Sequence, residues 1–195
     1  MKVLLINGSA ALEGTEKGKL NDSLHDVAKK TFTELGFDVL ETIIKNGYNY
    51  QEEVDKYFAA DVIIYQFPIW WFGQPWTLKK YIDEIYSSKP NFYKSGWRTG
   101  TERDAVLYGT TGVLENKKFM VNTTQAAIKE VFDNPDSFME GKSMDDMLFP
   151  IYKQNNYIGI KDRLPGYHCY NVYFYEDINV LLDGYKQHLL KIFKK

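Results

Sequence analysis

The chain has 195 residues, a formal net charge of −2, a sequence pI near 6.0 and 16% aromatic residues. This length favours a single domain over residues 1–195, and the near-neutral charge with scattered lysines argues against nucleic acid as a partner. The apolar runs are shorter than the roughly 20 residues of a membrane span, and the single cysteine, Cys169, cannot form an internal disulfide. We therefore expect a cytoplasmic protein with no membrane span.

The first part of the chain alternates predicted strands with predicted helices. The first two strands are expected from Lys2 to Asn7 and from Asp38 to Ile43. A helix capped by Asn21 or Asp22 is expected to run to about Leu35, and Gly36 is typical of the residue that follows a last helical turn. A shorter helix is expected from Gln51 to Ala59, with its inward face formed by Val54, Phe58 and Ala59.

The stretch from Asp61 to Tyr86 is the most informative part of the sequence. Its opening run, Val62 to Phe67, is almost unbroken in apolar and β-branched residues, which is typical of a central parallel strand buried on both faces. Pro75 then suits the start of a helix. The connection between them, Pro68 to Gln74, contains two tryptophans and a phenylalanine, and it is predicted to frame a flat ligand.

The second half of the chain has weaker patterns. A long loop is expected from Ser87 to Arg103, and loops of this length are usually functional in a compact domain. The predicted strands are a short one from Ala105 to Tyr108, the fourth from Lys117 to Thr123 and the fifth from Tyr167 to Tyr175. The predicted helices are Gln125 to Phe132, Ser143 to Asn155 and the closing helix from Glu176 to Phe193.

Strands that alternate with helices predict an α/β fold, with a five-stranded parallel sheet and helices on both of its faces. The strand order 2-1-3-4-5 is favoured. In this order the carboxyl ends of strands one, three and four are neighbours at the point where ligands bind such sheets. The loops at these ends are Gly8 to Asn21, Pro68 to Gln74 and Asn122 to Ala126. We therefore expect the three loops to meet in one crevice.

Each of these loops has two interpretations when it is taken alone. The first lacks the glycine spacing of dinucleotide-binding and P-loop motifs, but the start of its helix offers N–H groups to a phosphate, with Lys17 and Lys19 nearby. An ordinary capped helix is the alternative. The aromatics of the second loop suit ring stacking, or else packing and a dimer contact. The small and hydroxyl-bearing side chains from Thr123 to Ala126 suit close approach of a ring, or else capping of the next helix.

Several blocks of sequence resemble one family. Gln66-Phe67-Pro68, Trp71, Pro75, Leu78-Lys79 and Ile82-Asp83 resemble the strand-to-helix signature of the flavodoxin-like NAD(P)H:quinone oxidoreductases, including DT-diaphorase. Gly18 to Leu24 and Trp70-Trp71 narrow the resemblance to the MdaB (modulator of drug activity B) type. The sequence departs from the family in its fourth-strand loop, which is Thr-Thr-Gln-Ala here and usually Thr-Trp-Asn-Ala or Thr-Thr-Gly-Gly there.

The resemblance implies a flavodoxin-like fold and a homodimer that binds FAD, takes hydride from NADPH or NADH and reduces a quinone by two electrons with ping-pong kinetics. It places the cofactor-binding residues at Lys17, Gly18, Leu20, Asn21, Asp22, Ser23, Pro68, Ile69, Trp70, Trp71, Tyr108, Thr123, Thr124, Gln125 and Ala126. Tyr108 is also the expected catalytic residue, as a hydrogen-bond or proton donor, with His168 as a rival donor.

Other functions on the same scaffold remain open. They are an FMN-dependent azoreductase-like or iron-reducing flavoprotein, a one-electron carrier of the flavodoxin kind, and a flavin-free binding or regulatory protein. The three histidines, His25, His168 and His188, lie far apart in the sequence, so no metal site is expected.

Overall fold

The computed structural model describes residues 1–10, 18–87, 92–94, 108–175 and 177–194. Strands β1 to β6 are Lys2–Asn7, Asp38–Ile43, Val62–Pro68, Lys118–Thr124, Asp162–Arg163 and His168–Cys169. Helices α1 to α6 are Lys19–Glu34, Tyr50–Ala59, Trp76–Tyr86, Met144–Met147, Phe149–Tyr157 and Ile178–Phe193. The predicted strand that begins at Ala105, and most of the loop from Ser87 to Arg103, lie outside the described residues.

The described strands form one parallel sheet. Its order is β2-β1-β3-β4-β5, and β6 also pairs with β4, which confirms the predicted order. All seven residues of β3 are buried, as expected for the central strand. Gln66 pairs in register with Asn7 on one side and with Asn122 on the other, so the carboxyl ends of β1, β3 and β4 lie side by side.

Helices cover both faces of the sheet, and each face has its own apolar core. Alternate residues of the strands point to opposite faces. Val3, Leu5 and Ile64 pack against α1 and α6, whereas Leu4 and Ile63 pack towards α2, α3 and α5. The fold is therefore the predicted three-layer α/β arrangement.

The fifth strand is shorter than predicted and is divided into two pieces. Only His168–Cys169 of the predicted stretch from Tyr167 to Tyr175 pairs as a strand, and β5 precedes it as a separate piece. The interruption lies at Gly166, where an added Cβ would come within 2.1 Å of the Val121 carbonyl oxygen. The chain bulges here, and the Tyr167 N–H donates to the Asn122 side chain (2.8 Å) because no strand partner faces it.

Some predicted helix limits are also wrong. Gly18, with φ of 67°, is the N-cap of α1, so neither Asn21 nor Asp22 caps this helix. Phe58 and Ala59 are exposed on α2, whose buried residues are Glu53, Val54 and Tyr57. The stretch from Ser143 to Asn155 contains two helices, and Pro150 lies at the start of the second.

The predicted helix from Gln125 to Phe132 is absent apart from a 3-10 turn at Lys129–Val131. The main chain there is instead held by the segment after β6. The Gln125 carbonyl accepts from the Val172 N–H (3.1 Å), and the Ala127 carbonyl accepts from the Asn171 N–H (2.9 Å). These bonds use groups that a helix would have needed for itself.

Candidate functional site

Three loops meet at the carboxyl edge of the sheet, as the strand order requires. The Gly8 N–H donates to the Gln66 carbonyl (2.8 Å), and the Ile69 N–H donates to the Thr124 carbonyl (2.8 Å). These bonds continue the sheet ladder past the strand ends. The first turn of α1, the loop after β3 and the end of β4 therefore border one crevice.

A buried polar cluster joins the three loops. The Asn21 side-chain amide donates to the Thr124 hydroxyl (3.0 Å), and its oxygen accepts from the Gln66 amide (2.9 Å). All three residues are at most 4% exposed. The Gln66 Oε1 atom is buried and has no hydrogen-bond partner. A buried carbonyl oxygen in this state can accept a hydrogen bond from a bound ligand or water.

The start of α1 has the form of an anion-binding turn. Gly18 caps the helix without a side-chain bond, and the first N–H groups of a helix have no intrahelical acceptor. The carboxylate of Asp22 points to other partners, accepting from Asn7 (2.9 Å) and from Lys45 (2.5 Å). Its negative charge is thus partly neutralised. Lys17 lies outside the described residues.

The loop after β3 presents its aromatics to solvent. Trp70 and Gly73 exchange main-chain hydrogen bonds of 2.9 and 3.1 Å and close a tight turn. Trp71 and Phe72 occupy the centre of this turn with φ of 47° and 64°, a region that L-residues rarely adopt. Trp71 is 94% exposed and Phe72 is 54% exposed. The turn therefore aims two rings away from the core.

The end of β4 is more enclosed than the sequence indicates. The Thr123 hydroxyl bonds with Nδ1 of His168 (2.9 Å), and the Gln125 amide contacts the Met144 sulfur (3.6 Å). Burial lowers the pKa of His168 to about 4, so this imidazole is neutral at neutral pH. Burial also raises the pKa of the Cys169 thiol to about 12, which makes it unreactive. Ala126 is exposed at the edge of the crevice.

An apolar cavity of about 280 Å³, here called the inner cavity, lies between the β3 and β4 loops. One wall is formed by Ile69, Trp71 and Phe72, and the floor by Gln125 and Ala126. The opposite wall belongs to the segment 131–147, which contributes Val131, Phe132, Phe138, Met139 and Met147. The rings of Phe72 and Phe138 stack with their centroids 5.5 Å apart.

Tyr108 lies apart from the other predicted site residues within this chain. It is 61% exposed, and its ring centroid is 5.4 Å from that of Tyr157, at the end of α5. Tyr157 precedes β5, whose first residue, Asp162, pairs with the first residue of β4. The crevice lies at the other end of β4, although Gln154, one turn before Tyr157 on α5, accepts from the Gln74 amide of the loop after β3 (3.2 Å).

Two parts of the site were not predicted from the sequence. Gln66 belongs to the strand-to-helix signature but is not among the predicted site residues. Its side chain enters the crevice, where it donates to Asn21 of α1. The middle of the wall, residues 133–142, lacks helical or strand periodicity. Its one sequence signal is the pair Phe138-Met139, two large apolar residues in a polar stretch.

Comparison with known proteins gives a match to a family with a flavodoxin-like fold over residues 1–191. The NADPH:quinone oxidoreductase MdaB of Haemophilus influenzae is 38% identical over 194 residues, which cover 99% of this chain and 100% of that protein.

Solved structures are similar in fold. A candidate quinone reductase from Klebsiella pneumoniae matches with a TM-score of 0.72 at 23% identity, covering 100% of this chain and 86% of its own. The general stress protein 14 of Treponema denticola, solved in complex with FMN, matches with a TM-score of 0.68 at 17% identity, covering 98% of both chains.

Proposed function

We propose that this chain, which belongs to the flavodoxin-like fold family and within it to the group of MdaB, is a flavin-dependent NAD(P)H:quinone oxidoreductase. The observation that carries the proposal is the full-length similarity to an enzyme of that name, together with the crevice at the carboxyl ends of β1, β3 and β4. Ligands bind this sheet type at that position.

The residues of the crevice fit a flavin cofactor. The uncapped first turn of α1 suits the phosphates, and the unpartnered Gln66 oxygen suits a hydroxyl of the ribityl chain. Near-complete exposure of the Trp71 ring suits stacking on a flat heteroaromatic system. The residues proposed to hold the phosphates and the ribityl chain are Lys17, Gly18, Leu20, Asn21, Asp22 and Ser23. Those proposed to hold the ring are Pro68, Ile69, Trp70, Trp71 and Thr123 to Ala126.

A bound flavin would accept hydride from NADPH or NADH and pass two electrons to a quinone. The chain contributes position and a dry environment. Since the crevice has one apolar cavity beside the proposed ring site, the nucleotide and the quinone are proposed to use it in turn, which predicts ping-pong kinetics. Main-chain N–H groups of the β3 and β4 loops are the proposed donors to the polar edge of the ring.

FAD is the cofactor proposed here, and FMN is the alternative, since a structural neighbour was solved with FMN. Release of the cofactor from purified protein and its identification by chromatography distinguish the two. A homodimer is proposed as well, on the family resemblance and on the exposed aromatic rings at the crevice, which suit an interface between two copies. Sedimentation that shows only monomer at micromolar concentration would contradict this part.

No described helix is long and apolar enough to cross a membrane, and a cytoplasmic location is proposed. The decisive experiment is anaerobic titration of the holoprotein with NADPH and NADH. We expect bleaching of the flavin spectrum, followed by recovery when a stoichiometric amount of quinone is added. A flavin that accepts no hydride would favour an electron carrier, and a colourless protein without thermal stabilisation by FAD would favour a flavin-free binding protein.

A further inference from the structure

A second depression, here called the outer groove, lies beside the inner cavity. Its volume is about 550 Å³, and four residues line both spaces: Phe72, Phe138, Met139 and Met147. The inner cavity alone is smaller than the roughly 300–1,000 Å³ of typical small-molecule sites. The shared residues form the boundary between the two spaces, and crossing this boundary gives a path from the proposed ring site to the surface.

The chemistry of the path changes along its length. Among its described lining residues the inner cavity has no charged side chain, and Gln125 is the one polar residue there. The outer groove keeps the same apolar residues along its base and adds Glu140, Lys142 and Asp146. An apolar chain would therefore contact carbon and sulfur atoms along the base, whereas a charged ligand would have no partner in the inner part.

The exposed rings also require an explanation. Phe138 is 78% exposed and Phe72 is 54% exposed, so the stacked pair leaves an apolar patch at the surface, and such patches mark binding sites. Met139 and Met147 beside them have flexible, polarisable side chains, which adapt to ligands of different shape.

The wall that carries Phe138 and Met139 is held firmly at its base. The Asp133 N–H donates to the Lys142 carbonyl (3.1 Å), and the Gly141 N–H donates to the Asn134 carbonyl (3.0 Å). A capping box between Ser143 and Asp146 then fixes the start of α4. The two apolar side chains thus lie at the tip of a closed loop, and the groove is preformed.

We propose that the outer groove binds the apolar side chain of the substrate, so that the enzyme selects quinones bearing an alkyl or isoprenoid tail. This inference rests on the proposed quinone reductase function. The quinone ring occupies the inner cavity next to the flavin site, and the tail leaves over Met139 and Met147, along the edge of the stacked Phe72 and Phe138 rings. Phe138 is the specificity-determining residue, because it borders both spaces and is the most exposed of the four.

The test uses the holoenzyme and a series of benzoquinones carrying methyl, propyl or pentyl substituents. Each buried methylene contributes about 0.8 kcal/mol, which corresponds to roughly fourfold in kcat/KM when its burial is complete. Since the groove is open on one side, we expect about twofold or more per methylene and at least about tenfold between the methyl and pentyl compounds. A chain-length-independent kcat/KM for quinones that are reduced would overturn the inference.

Three variants sharpen the test. Phe138→Asp places a charge in the groove and is expected to lower the pentyl-to-methyl ratio about tenfold, whereas Phe138→Leu keeps an apolar side chain and should retain most of the ratio. Phe149→Ala removes another exposed phenylalanine (56%) that lines neither space, and it should leave the ratio unchanged. An unaltered ratio in Phe138→Asp would also overturn the inference.

Binding of the same quinones is measured separately, by quenching of tryptophan fluorescence. Affinity that rises with chain length in the wild type, and not in Phe138→Asp, supports the groove even if turnover is absent. If no quinone in the series is reduced but binding still depends on chain length, the proposed reaction is refuted and the groove is not. Length-independent binding would refute the groove.

Discussion

Asn21 offers a direct test of how the three loops are held together, through the variant Asn21→Ala. This residue is 3% exposed and is the hub of the cluster, with bonds to Thr124 (3.0 Å) and Gln66 (2.9 Å). Alanine removes both bonds. Because the side-chain oxygen of Gln66 is already unpartnered and its amide nitrogen would lose Asn21, the whole side-chain amide would then be buried without a hydrogen bond.

The free energy of unfolding should fall by about 2–4 kcal/mol. Leaving a buried polar group unsatisfied costs about 1–3 kcal/mol, and here the Gln66 amide and the Thr124 hydroxyl both lose their Asn21 partner. The better helix propensity of alanine offsets about 0.7 kcal/mol of this loss. For a domain of this size the change corresponds to a decrease in Tm of roughly 5–15 °C.

Urea unfolding followed by circular dichroism, without added flavin, measures this loss. Asp26→Ala, at an exposed position of the same helix, is the control and should change stability by less than about 0.5 kcal/mol. The double variant Asn21→Ala/Gln66→Leu should lose less stability than the sum of the losses in the two single variants, by about 1 kcal/mol or more. In the double variant no buried Gln66 amide is left without a hydrogen-bond partner. A loss below 1 kcal/mol in Asn21→Ala, or strict additivity, would refute the reasoning.

Three further outcomes are expected. Because burial holds the pKa of His168 at about 4 in the folded protein, the unfolded chain takes up a proton at this residue first as the pH falls. The contribution of His168 to the free energy of unfolding is therefore constant above about pH 6.5 and decreases by roughly 2 kcal/mol by about pH 4.5. Urea titrations of His168→Gln should lack this decrease. Gly166→Ala should lower stability by about 2 kcal/mol or more in thermal melts, because its Cβ would overlap the Val121 carbonyl. Trp71→Ala should leave stability within about 0.5 kcal/mol and weaken FAD retention, and unchanged flavin content would show that Trp71 does not hold the cofactor.

The sheet up to β4 could be predicted because its signals are local. The run from Val62 to Phe67 is apolar on both faces, and Pro75 marks the following helix, so neither assignment depends on distant residues. The alternation of strands with helices then leaves few strand orders, among which 2-1-3-4-5 is favoured. Fold and crevice position were thus available from the sequence.

The later part of the chain could not be predicted in the same way, because distant contacts decide it. The residues from Gln125 to Phe132 have helical spacing, but hydrogen bonds to the segment after β6 leave them with bends and one 3-10 turn. Likewise, the alternation from Tyr167 to Tyr175 predicts a long strand, whereas the close approach of Gly166 to β4 ends the pairing early. Neither of these contacts between distant residues can be predicted from one sequence.

Within the crevice, too, some side-chain positions follow from the local sequence and others depend on distant contacts. Trp71 was predicted at the crevice and lies there, since its loop follows the central strand directly. Asp22 is also predicted as a cofactor residue; its carboxylate bonds with Asn7 and Lys45 and its N–H donates to the Gly18 carbonyl (3.0 Å), so its contact with a cofactor stays a prediction. Whether each predicted residue contacts a flavin stays a prediction for the titrations above.

The turn at Trp71 and Phe72 gives the strongest physical argument that this edge of the sheet is built to bind a ligand. Two successive non-glycine residues with positive φ cost about 1–3 kcal/mol each. Asparagine and glycine would form the same kind of turn at lower cost. Packing within the chain gives little compensation, because Trp71 is 94% exposed and Phe72 contacts another exposed ring. The backbone of this turn therefore carries a cost that the proposed function would offset, by a flat ring covering Trp71 and an apolar chain covering Phe72.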